Sequence, residues 1–92
     1  MITLHLPSRM REELNLESKT LQSEFNNGSL ADFFDQLENQ VPGSQAFLFA
    51  EPGAMKKHIK VFLAERQVTE PLANVDLHGH ENIRVIQAMA GG

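Results

Sequence analysis

The sequence contains no cysteine, no tryptophan and no tyrosine, so phenylalanine supplies all of its aromatic side chains. Without cysteine, the chain can form no disulfide, no thiolate nucleophile and no metal site built on sulfur. Without tryptophan or tyrosine, it lacks two of the side chains on which single-stranded nucleic acids stack. These absences exclude thiol chemistry and argue against nucleic-acid binding.

Basic charge and long apolar runs are also scarce in these 92 residues. Eight Lys and Arg face twelve Asp and Glu, which gives a net charge of −4 and argues again against a nucleic-acid partner. The longest apolar run, Ala46 to Ala50, is far too short to span a membrane. No basic stretch followed by an apolar one stands near Met1, so we expect no signal peptide and, by default, a cytoplasmic protein.

Catalytic and metal-binding motifs are weak. We find no Ser-His-Asp spacing, no glycine-rich phosphate loop and no recognisable carboxylate pair, so we expect no enzyme activity of the chain's own. His78 and His80 are two residues apart, but Gly79 between them indicates a turn. His5 and His58 have no partner nearby in sequence. We therefore expect no metal site.

The first third of the chain predicts an antiparallel hairpin with a long loop. Ile2 to Leu6 alternate apolar and polar residues, which is typical of a half-buried strand ended by Pro7. Residues 8–17 form a long connection in which a helical turn is one possibility. A second alternating strand places Leu21, Ser23 and Phe25 on one face, and residues 26–28 close it as a turn.

One amphipathic helix follows. Ser29 is its expected N-cap, with Asp32 completing a capping box, and residues 42–43 (Pro-Gly) end it. Its apolar residues recur at helical spacing and form one stripe that packs on a sheet. They are Leu30, Phe33, Phe34, Leu37 and Val41.

Residues 51–53 and 78–80 read as turns. The second half supplies two further strands, over residues 57–64 and 82–87. In the first, Ile59, Val61 and Leu63 share one face, whereas Lys60 and Phe62 share the other. Between the strands we expect a short extra strand at residues 66–68 and an irregular crossing over residues 71–77. The whole predicts a single α+β domain over residues 1–92, a mixed sheet packed on one main helix.

The sequence closes on Ala88-Met89-Ala90-Gly91-Gly92. Glycine lacks a Cβ atom, so a Gly-Gly end can enter a slot that would block any other residue. The carboxylate of Gly92 is then open to activation by another enzyme. The alternative interpretation is a frayed, flexible terminus or an expression remnant.

Two segments carry a resemblance to a known family. Residues 57–63 resemble a strand of the form V-x-V-F-V-N, and residues 83–92 resemble the ending V-x-I-h-P-A-V-A-G-G, with Gln87 in place of the proline. The helix that ends at Pro-Gly occupies the family's position for it. On these features the chain resembles the ThiS/MoaD sulfur carriers, which implies a ubiquitin-like β-grasp fold with a flexible C-terminal tail at residues 88–92.

The resemblance also implies a function. An adenylyltransferase of the ubiquitin-activating type would use ATP and Mg²⁺ to adenylate the Gly92 carboxylate. A sulfurtransferase or other sulfur donor would then convert it to a thiocarboxylate that passes sulfur to a downstream synthase. The chain itself would bind no cofactor, no metal, no nucleic acid and no membrane.

The resemblance further implies the residues that the partner contacts. They are Gly91, Ala90, Met89 and Ala88 of the tail, and Phe62, Arg84 and Ile86 of the sheet. Phe62 and Ile86 could equally be covered by a loop, and Arg84 could simply be a solvated strand charge.

Three functions remain open at this point. A protein modifier would use the same activation but join Gly92 to a lysine of a target protein. A non-covalent β-grasp module would not need the diglycine at all. Among carriers, the extra residues in 7–19 and 44–57 make the chain longer than a typical thiamine-route carrier. Residues 49–61 resemble the molybdopterin-type and cysteine-type carriers more closely, so those routes are favoured over the thiamine route.

Overall fold

The computed structural model of the chain describes residues 1–25, 27–78 and 81–88. Within these ranges the strands are β1 (Ile2–His5), β2 (Thr20–Ser23), β3 (Gly28–Ser29), β4 (Phe49–Glu51), β5 (Ala54–Met55), β6 (Ile59–Leu63), β7 (Arg66–Gln67), β8 (Asp76–Leu77) and β9 (Asn82–Gln87). The helices are α1 (Ser8–Glu13), α2 (Leu30–Gln40) and α3 (Ser44–Leu48), with a 3₁₀ turn at Leu72–Asn74.

Five of the strands form one mixed sheet in the order β2-β1-β9-β6-β7. β1 and β9 run parallel, and the other neighbours are antiparallel. β9 is therefore the central strand, hydrogen-bonded on both sides. The predicted α+β class and the long-looped β1–β2 hairpin are confirmed.

Helix α2 covers one face of this sheet because its apolar stripe is continuous. Every residue of the predicted stripe is buried, and each joins a core that also holds Ile2, Leu4, Val61 and Val85. Ser29 Oγ accepts the backbone N–H of Asp32, and the Asp32 carboxylate accepts that of Ser29, which completes the capping box. The expected helix is confirmed from cap to stop.

The second strand is shorter than the alternation predicts. β2 ends at Ser23, and Phe25 lies beyond it, buried edge-to-face against Phe33 with ring centroids 5.6 Å apart. Phe25 also fixes its neighbour, since a Cβ on Gly28 would lie 2.7 Å from the Phe25 ring and Gly28 has φ +143°. Burial of an aromatic ring, and not strand periodicity, explains the apolar residue at this position.

Several elements are too short to show a hydrophobic periodicity in the sequence. β3 pairs with β8 and β4 pairs with β5, in two small sheets outside the main one. Helix α3 has five residues. Where the sequence indicates a helical turn, the structure has the six-residue helix α1. The expected strands and the irregular crossing are otherwise found, with Val75 and Leu77 buried and Leu72 half-buried.

A carboxylate joins helices α2 and α3. Glu38 accepts the backbone N–H groups of Gly43 and Gln45, both at 2.8 Å, and the hydroxyl of the buried Ser44 at 3.4 Å. The hydrogen bonds from Gly43 and Gln45 hold the pKa of Glu38 below its ordinary value of 4.5, with a smaller contribution from Ser44. Gly43 permits the junction because it adopts φ +95°.

We expect Glu38→Gln to make the chain less stable at neutral pH and to weaken its acid sensitivity. Because the folded-state pKa is depressed, the stabilisation is present above about pH 4.5 and is lost as pH falls through the folded-state value. The melting temperatures of wild type and variant should therefore approach each other as the pH is lowered. Glu17→Gln, at an exposed carboxylate without a hydrogen bond in the described part of the chain, should track wild type. If the difference in stability between wild type and Glu38→Gln did not change with pH, the depressed pKa of Glu38 would be contradicted.

Candidate partner-binding face

The structure describes four of the eight site residues expected from the sequence. Ala88, Phe62, Arg84 and Ile86 lie within the described ranges, and Met89, Ala90, Gly91 and Gly92 lie outside them. The reactive terminus therefore remains a prediction, whereas the strand that leads to it and the sheet face beside that strand can be described in detail.

The central strand leads straight to the tail. After β9 ends at Gln87, the backbone N–H of Ala88 still donates to the carbonyl of His58, at 2.7 Å. Ala88 is exposed. β1 pairs with β9 over Asn82 to Arg84, whereas β6 pairs with it as far as Gln87, so the strand end from which the tail starts is anchored by β6.

The face of the sheet away from α2 carries the three expected side chains. Phe62 pairs with Arg84 and Lys60 pairs with Ile86 across β6 and β9, while His5 pairs with Arg84 across β1 and β9. Side chains alternate along each strand, so these five residues share one face. We call them the outer sheet patch.

The exposed fractions of Ile86 and Phe62 show how far each of these apolar side chains is covered by the rest of the protein. Ile86 is 37% exposed, one of the most exposed large apolar side chains in the described ranges, and Phe62 is half-buried. Arg84 and Lys60 are exposed. The patch therefore combines one exposed apolar side chain, one half-buried ring and two exposed cations.

Sequence reasoning missed a second group of residues near the tail. Lys56, Lys57 and His58 directly precede β6, and His58 holds Ala88 through its carbonyl. The amide of Lys56 donates to the Leu48 carbonyl at 2.9 Å, which fixes this segment against α3. The antiparallel pairing of β6 with β9 brings this segment beside the tail, and no local sequence pattern predicts that pairing.

A shallow cavity of about 200 Å³ opens at the same end of the sheet, lined in part by Arg9, Glu13, Lys56, His58 and Gln87. Glu13 neutralises Arg9 through an exposed ion pair at 3.0 Å, whereas Lys56 makes no ion pair within the described ranges. The basic character of this end therefore comes mainly from the segment before β6.

Other kinds of site have little support in the described ranges. Among the described residues no group of three or more His, Asp or Glu side chains is placed to hold a metal ion. His80, one half of the His-x-His pair, lies outside the described ranges, as does Gly79 of the expected turn. No helix in the part of the chain that the structure describes is long and apolar enough to cross a membrane.

No protein-family model matches the sequence, and no curated protein matches it significantly. Solved structures do match. A chain of the BexX/CysO complex from Amycolatopsis orientalis superposes with a TM-score of 0.81 at 19% identity, and the match covers 100% of both chains. The chain has the ubiquitin-like β-grasp fold.

Two further β-grasp structures agree. SAMP1 from Haloferax volcanii, a small archaeal modifier protein, gives a TM-score of 0.77 at 17% identity, with 99% of this chain and 98% of that chain covered. CysO from Mycobacterium tuberculosis gives 0.78 at 15% identity, with 97% and 100% covered. The fold expected from the resemblance to the ThiS/MoaD carriers is therefore confirmed.

Proposed function

We propose that this protein is a sulfur carrier whose Gly92 carboxylate is adenylated by a partner enzyme and then converted to a thiocarboxylate. The observation that carries the proposal is the course of β9. The central strand of a β-grasp sheet passes between two neighbours, presents Ile86 and Arg84 to solvent, and leads through Ala88 into the Met-Ala-Gly-Gly segment. One rigid element thus joins a docking face to the reacting end.

The distance from face to carboxylate suits this role. Residues 88–92 in an extended conformation reach about 17 Å, at about 3.4 Å per residue. A partner that docks on the outer sheet patch can therefore receive the carboxylate in a separate pocket. Glycine at both final positions lets the backbone pass through a narrow entrance.

The chemistry is balanced without a catalytic side chain of this protein. A Gly92 carboxylate oxygen attacks the α-phosphorus of ATP, the bond to the β-phosphate oxygen breaks, and pyrophosphate leaves. Hydrosulfide then attacks the acyl carbon, AMP leaves with the bonding pair, and the terminus becomes a thiocarboxylate with release of one proton. The Mg²⁺ that neutralises the phosphates is bound by the partner, and we place the reaction in the cytoplasm.

The second candidate is a protein modifier, and the similarity to a small archaeal modifier protein favours it. Activation is the same, but a lysine amine of a target displaces AMP and forms an amide. For the carrier, the acceptor classes are a molybdopterin precursor and a precursor of cysteine, as the resemblance implies. Incubating the thiocarboxylate form with each precursor and its synthase distinguishes these routes.

The direct test of activation is ATP–pyrophosphate exchange with the adenylyltransferase of the same organism and the protein with Gly92 as its C-terminal residue. Exchange that depends on this protein supports the proposal. Absence of exchange at saturating ATP and Mg²⁺ with the folded protein would overturn both the carrier and the modifier, and leave the non-covalent module.

We expect Ile86→Asp to lower kcat/KM for exchange by at least about 10-fold, because a charge in the centre of a docked apolar contact must be desolvated without a partner. The melting temperature should change little, since this side chain is outside the core. Ala73→Asp adds the same charge at an exposed position of the 3₁₀ turn, which packs on the α2 side, and should keep wild-type exchange. Equal kcat/KM for both variants would show that the outer sheet patch is not the docking face.

A further inference from the structure

The charges of this acidic protein are distributed unevenly. Its twelve Asp and Glu residues all lie in the described ranges, yet none of them is in the five-stranded sheet. The small sheets, the helices and the connections hold them all, including Asp32, Asp35 and Glu38 on α2. The five-stranded sheet instead contains Lys60, Arg66 and Arg84.

The cations on the outer face are also unneutralised. Within the described ranges the ion pairs are Arg9 with Glu13 and Arg66 with Glu70, so Lys60 and Arg84 make none. One carboxylate, Glu65 in the turn after β6, lines a shallow cavity together with His5 and Arg84. That turn is at the end of β6 opposite the start of the tail.

The positive region continues toward the tail. Lys60 lies opposite Ile86, two residues before Ala88. The carbonyl of His58 accepts the backbone N–H of Ala88, and Lys56 and His58 line one cavity with Gln87. The outer face of the sheet is therefore basic, whereas α2 on the other face carries three carboxylates and no Lys or Arg, although the chain has a net charge of −4. Such a separation orients a protein as it approaches a charged partner.

We infer that the outer sheet patch and the basic segment before β6 recognise an acidic protein surface, namely a rim of carboxylates around the entrance to the tail-binding pocket of the activating enzyme. This inference rests on the proposed function. Ile86 and Phe62 supply the apolar centre of the contact, while Lys60 and Arg84 set its orientation. Because these cations are exposed, their main effect is on the rate of association.

The test compares two double variants that remove the same charge. Lys60→Gln with Arg84→Gln alters the outer sheet patch. Lys19→Gln with Arg66→Gln is the control, since Lys19 precedes β2 and Arg66 pairs with Leu63 on the opposite face. ATP–pyrophosphate exchange is measured with the activating enzyme at ionic strengths of about 0.02 M and about 0.5 M, between which the screening length falls severalfold.

At low salt we expect kcat/KM of the patch variant to fall roughly 10-fold through KM, with kcat unchanged, and the deficit to shrink at high salt. The control should stay within about twofold of wild type, and both variants should melt as wild type does. Equal kcat/KM for patch variant, control and wild type, with wild type active, would overturn the acidic-partner inference and leave the proposed function standing. A wild-type protein inactive at both salts would overturn the proposed function, and this inference with it.

Discussion

A chain that lacks Gly92 is expected to melt like wild type and to lose thiocarboxylate formation, by at least about 100-fold in rate. The deletion withdraws the carboxylate by about 3.5 Å, and displacement of a reacting atom by about 1 Å is enough for a loss of that order. The fold should persist because no core residue of the described ranges lies after Val85. Thermal melting and intact-mass analysis after incubation with ATP, Mg²⁺, sulfide and the activating enzyme measure the two effects.

A companion variant separates reach from shape. Gly92→Ala keeps the carboxylate at its position but adds a Cβ atom. If the entrance is narrow, the Cβ lowers the rate of thiocarboxylate formation, but by less than the deletion does because the carboxylate keeps its reach. If the deleted chain were converted at the wild-type rate, the carboxylate of Gly92 would not be the reacting group. If the deletion removed the cooperative melting transition, the tail would be part of the folded domain.

The largest expected effect on stability is that of Phe33→Ala, about 3–5 kcal/mol. Phe33 is 1% exposed and makes edge-to-face contacts with Phe25 and Phe34, at centroid distances of 5.6 and 5.5 Å. Truncation would leave a cavity between α2 and the Phe25 ring. Urea unfolding monitored by circular dichroism gives the free energy of unfolding.

Asp35→Ala is the matched control, because Asp35 lies on the exposed side of the same helix and the change removes no core contact. Its cost should stay within about 0.5 kcal/mol. A cost below about 1 kcal/mol for Phe33→Ala would mean that the ring is not part of a tightly packed core.

The main elements of the fold could be predicted where a periodic pattern was long enough. The capping box at Ser29 and the stripe behind it define α2, and alternation defines β6 and β9. Helix α3 and the small sheets could not be predicted, because two to five residues carry too little periodicity to identify an element. Phe25 was assigned to a strand because an apolar residue buried just after β2 continues the alternation by coincidence.

The candidate site was predictable only in part, for a related reason. Alternation places Phe62 on one face of β6, and the resemblance pointed to Arg84 and Ile86. The position of His5 beside Arg84 depends on the parallel pairing of β1 with β9, which are far apart in sequence. The basic segment next to Ala88 likewise follows from the pairing of β6 with β9. Tertiary pairings of this kind have no local signature.

The central claim is tested most directly by intact-mass spectrometry of the protein ending at Gly92, co-expressed with the adenylyltransferase and sulfur donor of its organism. The carrier predicts a mass gain equal to the exchange of one oxygen for one sulfur, located at Gly92 by fragmentation. Conjugates joined through Gly92 to lysines, without that exchange, would contradict the carrier in favour of the modifier. An unchanged mass in the presence of active partner enzymes would contradict both.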